Sequence, residues 1–286
     1  MLNYEEFRKI FNDKIFNQAK PHLIKKVAEH PDRYVGLFRP TKPEAKLLQN
    51  LSQSNEIRFG DAFEVAIKEY FISEGWEPLE QKIKAKNGNN LDIDQLLEKN
   101  NEVLFIEQKV RDDHDSTKKR GQIRNFESKL ETLIDIYGDK LKYGFFYFID
   151  PSLHKNKNYY GPKLQQMGEK WGVNLFVSYG DEMFDELGYL DIWTNIINNL
   201  KQWREEIPDI PVLNFDEDAE ASAEEIAELP PKYINKLFND ERIVKQILPV
   251  LFPEKKTLII LEEDLRRKNT VKATSIADKI RNYIDN

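Results

Sequence analysis

Between Leu91 and Lys109 the chain places Asp92, Asp94, Glu107 and Lys109 in two apolar runs, Leu91-Asp-Ile-Asp-Gln-Leu-Leu97 and Val103-Leu-Phe-Ile-Glu-Gln-Lys-Val110. The polar stretch Glu98-Lys-Asn-Asn-Glu102 separates them, and this pattern predicts a β-hairpin. Side chains two apart on a strand leave the same face, so Glu107 and Lys109 project together, as do Asp92 and Asp94. A turn centred on Asn100-Asn101 sets Asp94 opposite Glu107, whereas one centred on Lys99-Asn100 sets Asp92 there. Asparagine tolerates the positive φ of tight hairpin turns, which favours the first register. Opposed carboxylates repel unless a cation lies between them. Oxygen ligands with an otherwise open shell suit Mg²⁺, which keeps several waters and accepts phosphate oxygens. A lysine beside such an ion stabilises charge on phosphate or helps a metal-bound water become hydroxide. Two acids and a lysine around one divalent ion are the minimum needed to hydrolyse a phosphodiester.

The triplet occurs a second time, as Glu80-Gln-Lys82. That copy lies beside Trp76, Pro78 and a polar loop, with no acidic hairpin partner upstream, and reads as a surface pair. The Glu107 copy instead closes an apolar run, where charges are costly unless paired or metal-bound.

The elements that must position these residues follow from apolar periodicity. Helix is expected over about Asn3–Ala28, with Pro21, Pro31, Pro40 and Pro43 breaking the next stretch. A stronger helix is expected from Arg58 to the stop signal Gly75. Trp76–Lys84 reads as extended and Lys86-Asn-Gly-Asn-Asn90 as a turn. After the hairpin come a helix over about Gly121–Tyr137, the apolar strand Tyr143–Ile149, a helix over Pro162–Trp171, a strand over Val173–Tyr179 and helices through Trp203. This alternation predicts an α/β fold, a mixed central sheet flanked by helices. Four pieces are expected: a helical N-terminal segment (1–57), a core (58–204), an acidic linker (205–231) and a helical C-terminal module (232–286). In that module Tyr233–Leu251 and Thr257–Ile284 carry helical periodicity, and Leu258–Leu261 is the one short run that could be strand.

The 286 residues carry 43 Lys+Arg against 50 Asp+Glu, a net charge of −7. Ten acidic and no basic residues lie between Glu205 and Glu228, so the remainder of the chain sums to +3. The acidic total therefore leaves a nucleic-acid partner open, because local charge is what matters. Cysteine is absent, which excludes disulfides, thiolate metal sites and cysteine nucleophiles. There is no apolar run long enough for a membrane span, and the acidic amphipathic start suits neither signal nor transit peptide. A cytoplasmic protein with no membrane partner is the expectation. The histidines, His22, His30, His114 and His154, show no ligand spacing. No Gly-x-x-x-x-Gly-Lys loop points to ATP.

Asp94 followed by Glu107-Gln-Lys109 through an apolar strand resembles the motif of the PD-(D/E)XK nuclease superfamily. The order of elements over Arg58–Tyr179 is most similar to that of a type II restriction endonuclease. In Arg58-Phe-Gly-Asp-Ala-Phe-Glu64, Glu64 corresponds to the helix glutamate that many members add to the metal shell. Ile93 stands where the family often has proline, and Asp92 competes as the first acid. The resemblance implies a restriction-endonuclease-like core in which Asp94, Glu107 and Glu64 hold Mg²⁺. Lys109 would orient or deprotonate the attacking water. The implied reaction is site-specific cleavage of double-stranded DNA to 5′-phosphate and 3′-hydroxyl ends. A homodimer and a cognate DNA methyltransferase are implied with it. A structure-specific repair or junction nuclease, or a non-catalytic DNA-binding protein with a nuclease-like core, is the alternative.

Two basic stretches are expected to reach DNA. Lys118, Lys119 and Arg120 precede a helix start supplying Gln122 and Arg124, a phosphate clamp in composition. Asp112, Asp113 and Asp115 in the same loop are candidates for ion binding, salt bridges or the helix cap. Lys155, Lys157, Asn158 and Tyr159, with Asn156, Tyr160 and Lys163, form a second loop able to touch phosphates and adenine edges. Arg33, Arg39, Lys42 and Lys46 are weaker candidates. The aromatic residues of Tyr143–Ile149 read as core.

Overall fold

The computed structural model describes residues 1–85, 88–207 and 211–285. Lys86 and Asn87 of the expected turn, and Pro208 of the acidic stretch, lie outside the described residues. In chain order the elements are α1 (Tyr4–Ile15), α2 (Ala19–Glu29), α3 (Asp32–Val35), α4 (Pro43–Ser73), β1 (Glu77–Pro78), β2 (Lys82–Lys84), β3 (Asn90–Asp92), β4 (Gln95–Lys99) and β5 (Glu102–Lys109). Next come α5 (Ser116–Tyr137), β6 (Leu141–Phe148), α6 (Lys157–Trp171), β7 (Asn174–Tyr179), α7 (Glu182–Glu186) and α8 (Leu190–Glu206). The remainder is helical: α9 (Ala219–Ala227), α10 (Pro231–Asn239), α11 (Glu241–Gln246), α12 (Leu248–Leu251), α13 (Lys256–Arg267) and α14 (Val271–Asp285). Two compact units result, Met1–Phe11 with Gly60–Glu206, and Asn12–Phe59 with Ile207–Asn286.

The first unit holds a five-stranded mixed sheet in the order β1-β4-β5-β6-β7. The β1–β4 and β4–β5 pairs are antiparallel, while β5–β6 and β6–β7 are parallel. Parallel neighbours need a crossover, and α5 and α6 supply the two. Val103 to Gln108 are all buried, as expected of a strand covered on both faces. On one face Phe105 stacks on Phe126 of α5 at 5.0 Å, and Phe146 meets Tyr160 of α6 at 4.7 Å. On the other, Tyr147 packs edge-on to Phe184 of α7, which stacks on Phe71 of α4. Glu107 pairs with Phe146 and Lys109 with Phe148, so both charged side chains leave on the α5 face. The expected α/β architecture, a mixed sheet flanked by helices, is the one found.

Several helix boundaries differ from expectation, each for a local reason. The first helix is divided where Gln18 takes a positive φ of 65°. Helix α4 starts at Pro43 rather than Arg58, because proline is favoured at a helix's first position, where its missing N–H costs nothing. Helix α5 starts at Ser116 rather than Gly121, capped by Asp115, and α6 starts at Lys157, with Pro162 inside it. Residues 258–261 lie within α13 and are not strand.

The second unit has one core in which Leu23, Ile24 and Val27 of α2 cluster with Ile226, Ile234, Leu261 and Ile280. Residues 12–57 of the expected N-terminal segment therefore share an interior with the C-terminal module, while Met1–Phe11 belongs to the first unit. Within 205–231, expected as a linker, α9 forms, and Phe215, Ser222, Ala223 and Ile226 are buried. Of the acidic residues there, Glu220, Glu224 and Glu225 lie in α9, while Asp216 is buried and accepts the backbone N–H groups of Glu254 and Thr257.

Candidate active site

The site begins with the hairpin. Asn100 and Asn101 take φ of 53° and 66°, the paired positive values of a tight two-residue turn. The resulting register runs from Lys99↔Glu102 to Gln95↔Ile106, the Asn100-Asn101 alternative. Asp94 immediately precedes β4, and its Oδ2 accepts the backbone N–H of Gln108 at 2.7 Å. Asp92 leaves in another direction: it is exposed and sits across from Lys82 in the separate β2–β3 pair. Lys82 of the second Glu-x-Lys triplet thus faces Asp92 in a separate two-stranded ribbon, while Asp94 joins Glu107 and Lys109.

The Lys109 Nζ donates to Asp94 Oδ2 at 3.1 Å, Glu107 Oε1 at 2.9 Å and the Gln108 carbonyl at 2.6 Å. Asp94, Glu107 and Lys109 therefore converge on one point at the end of β5. A residue missed in the sequence completes the group. Lys129 of α5 donates to Glu107 Oε2 at 2.5 Å and stands 3.9 Å from Asp94 Oδ1. Its signal was present: Ile123, Phe126, Leu130 and Leu133 form the buried stripe of α5, and Lys129 falls on that stripe, three residues beyond Phe126. Glu107 and Lys129 are only 2% and 4% exposed. Buried charges of this kind persist when paired and hydrogen-bonded, and each here has its partner.

Electrostatics tie Glu64 to the group. Burial pushes its carboxyl up to about 7, and the negative charges of Asp94, Asp61 and Glu107 push the same way against Lys109. Glu64 therefore lies within the field of both other acids, and the Gln95 side-chain amide holds its backbone carbonyl at 2.6 Å. Burial pulls Lys109 down, but Glu107 and Asp94 outweigh it and hold the ammonium above the ordinary lysine value.

Several carboxylate oxygens gathered in a partly buried site are the chemistry that suits a hard divalent ion. Mg²⁺ takes one or two protein carboxylates and keeps waters for the rest, and Asp94 and Glu107 fit that requirement. Among the described residues, no three His, Asp or Glu side chains are already drawn into a closed ligand set. The oxygens of Asp94 and Glu107 are instead held by the two ammonium groups.

The basic residues fall into a different pattern from the one expected. Asp115 caps α5 by accepting from Thr117 and Lys118 N–H, so Lys118, Lys119 and Arg120 lie in the helix rather than before it. Arg120 and Arg124 line a groove of about 700 Å³ between α5 and α6, together with Tyr159, Lys163, Gln166 and Lys170. Lys119 and Lys163 lie 4.6 and 5.2 Å from the Tyr159 ring centre, and Gln122 is partly buried. Lys157, Asn158 and Tyr159 belong to α6 rather than to a loop. Lys157 is engaged by Glu182 at 2.8 Å, and Lys155 by the Asp113 carbonyl at 3.1 Å. Arg33, Arg39, Lys42 and Lys46 are in the second unit.

Asp112 is fully buried and accepts from Asn156 N–H at 2.6 Å, Asn156 Nδ2 at 2.7 Å and the Tyr179 hydroxyl at 2.9 Å. It joins the segments after β5 and β6. His114 meets Tyr160 of α6, outside its own loop.

Residues 72–204 match the family model of the type II restriction endonuclease HinfI. The HinfI-like region spans the sheet and α5 to α8, and contains Asp94, Glu107, Lys109 and Lys129, with Glu64 just outside it. No curated protein and no solved structure matches the chain. The match supports a restriction endonuclease function and does not favour the junction-nuclease or non-catalytic alternatives. No helix among the described residues is long and apolar enough to cross a membrane.

Proposed function

We propose that the chain is a type II restriction endonuclease of the PD-(D/E)XK superfamily, cutting double-stranded DNA at a short specific sequence with Mg²⁺. The observation that carries this reading is the meeting of Asp94, Glu107 and Lys109 at one strand end inside the HinfI-like region. Asp94 and Glu107 would hold the ion, with Glu64 directly or through water. When bound, Mg²⁺ supplies positive charge for the phosphate and an acidified water. Lys109, kept as an ammonium by its acidic neighbours, donates to the scissile phosphate or orients the water rather than starting as a free base. Glu107 is fixed by Lys129 from within. In-line attack leaves a 5′-phosphate and a 3′-hydroxyl.

Arg120 and Arg124, with Lys118, Lys119, Gln122, Lys155, Lys157, Asn158 and Tyr159, are the proposed DNA contacts. Phosphate contacts of this kind set register and orientation on the duplex. Cutting both strands needs two sites, so a homodimer is proposed, working in the cytoplasm beside a methyltransferase of the same specificity. Digesting unmethylated phage DNA with Mg²⁺ and sequencing the fragment ends tests the reading. Discrete bands with a shared end sequence support it; a smear, or intact DNA at every Mg²⁺ concentration, overturns it.

A further inference from the structure

We infer that Lys129 stands where a second cation would stand, so that the site admits a single divalent ion per chain. The inference rests on the proposed Mg²⁺ site. The four carboxylate oxygens divide into two sets. Asp94 Oδ2 and Glu107 Oε1 are held by Lys109, whose side chain is 24% exposed. Asp94 Oδ1 and Glu107 Oε2 face Lys129, whose side chain is 5% exposed.

The two lysines differ in their freedom to leave. Lys109 ends β5 and reaches solvent, so its ammonium can swing aside when an ion approaches the outer pair of oxygens. Lys129 projects from the buried stripe of α5, between Phe126 and Leu133 along the helix, and both of those residues are fully buried. Displacing it would strand an ammonium among apolar side chains, at a cost that an incoming ion would have to exceed. Charge points the same way. Two divalent ions beside both ammonium groups would outnumber the negative charge of Asp94, Glu107 and Glu64 twofold. Lys129 is thus a positioning residue that acts through Glu107 and Asp94.

The test counts ions rather than turnovers. Mn²⁺ is titrated onto the full chain without DNA, and free Mn²⁺ is followed by electron paramagnetic resonance for the parent, Asp94→Asn, Lys129→Gln and Lys129→Arg. The expected result is one Mn²⁺ per parent chain, lost in Asp94→Asn, one in Lys129→Arg and two in Lys129→Gln. Two ions on the parent chain overturn the inference while leaving the metal-site reading intact. No Asp94-dependent ion on the parent overturns both. A folded Lys129→Gln that still binds one ion removes Lys129 as the excluding group. If that variant does not fold, Lys129→Met, which also removes the charge, takes its place: two ions on it support the inference and one overturns it.

Discussion

Replacing Lys129 by methionine keeps the length of the side chain on the α5 stripe and removes its charge. Glu107, 2% exposed, then loses the 2.5 Å partner of Oε2 and keeps only Lys109 on Oε1. Removing one member of a buried pair costs about 3–5 kcal/mol, and the surviving Lys109 contact places this case near about 3 kcal/mol. Pairing the change with Glu107→Met removes the stranded carboxylate, so the double variant is expected within about 1 kcal/mol of the parent. All four tryptophans, Trp76, Trp171, Trp193 and Trp203, lie in the first unit, so tryptophan fluorescence in urea reports that unit's unfolding. With an m-value of about 2 kcal/mol/M, the single variant should lower the metal-free midpoint by about 1.5 M, and the double should recover most of it. A neutral Lys129→Met, or a double variant whose losses simply add, would refute the view that these two charges are held for each other.

Two further outcomes follow from the same geometry. In metal-free protein the folded chain keeps the Glu64 proton up to about pH 7, while the unfolded chain loses it near 4.5. Stability therefore falls as pH rises through that window. Glu64→Gln should leave stability unchanged at pH 4 and raise it at pH 8, by about 1–2 kcal/mol after allowing for the side chain's partial exposure. Urea titrations in EDTA at the two pH values check this, and equal effects at both would contradict it. If Arg120 and Arg124 each contact a phosphate, the double alanine variant should reduce the slope of log affinity against log salt by about 2. Binding of a cognate duplex in Ca²⁺ across salt concentrations measures it, and an unchanged slope removes the groove from the interface.

The legible parts of the fold were those fixed by short-range rules. Asn100 and Asn101 announced a turn needing two positive φ angles, and the register that turn imposes brought Asp94 to the strand carrying Glu107 and Lys109. The apolar run Val103–Ile106 marked a strand buried on both faces. Less legible were helix starts, where composition misled. The basic and acidic residues after Lys109 read as a loop, although Asp115-Ser116 is a capped helix start. The proline and acid content of 205–231 masked Phe215 and Ile226, which are core. Lys129 was hidden for a different reason: its partner is reached through the packing of a helix on a sheet, which the local pattern implies only once the strand's charged face is known.

Whether Asp94, Glu107 and Lys109 act together on a phosphodiester is read from single-turnover cleavage of cognate duplex by Lys109→Ala. Lys109 is partly exposed, so the variant should fold and, in Ca²⁺, bind DNA with near-parental affinity. Loss of one preorganised charge at the reacting phosphate is expected to slow cleavage by about 10²–10³-fold or more in Mg²⁺. Cleavage within a few-fold of the parent rate, at the same sequence, would contradict the account.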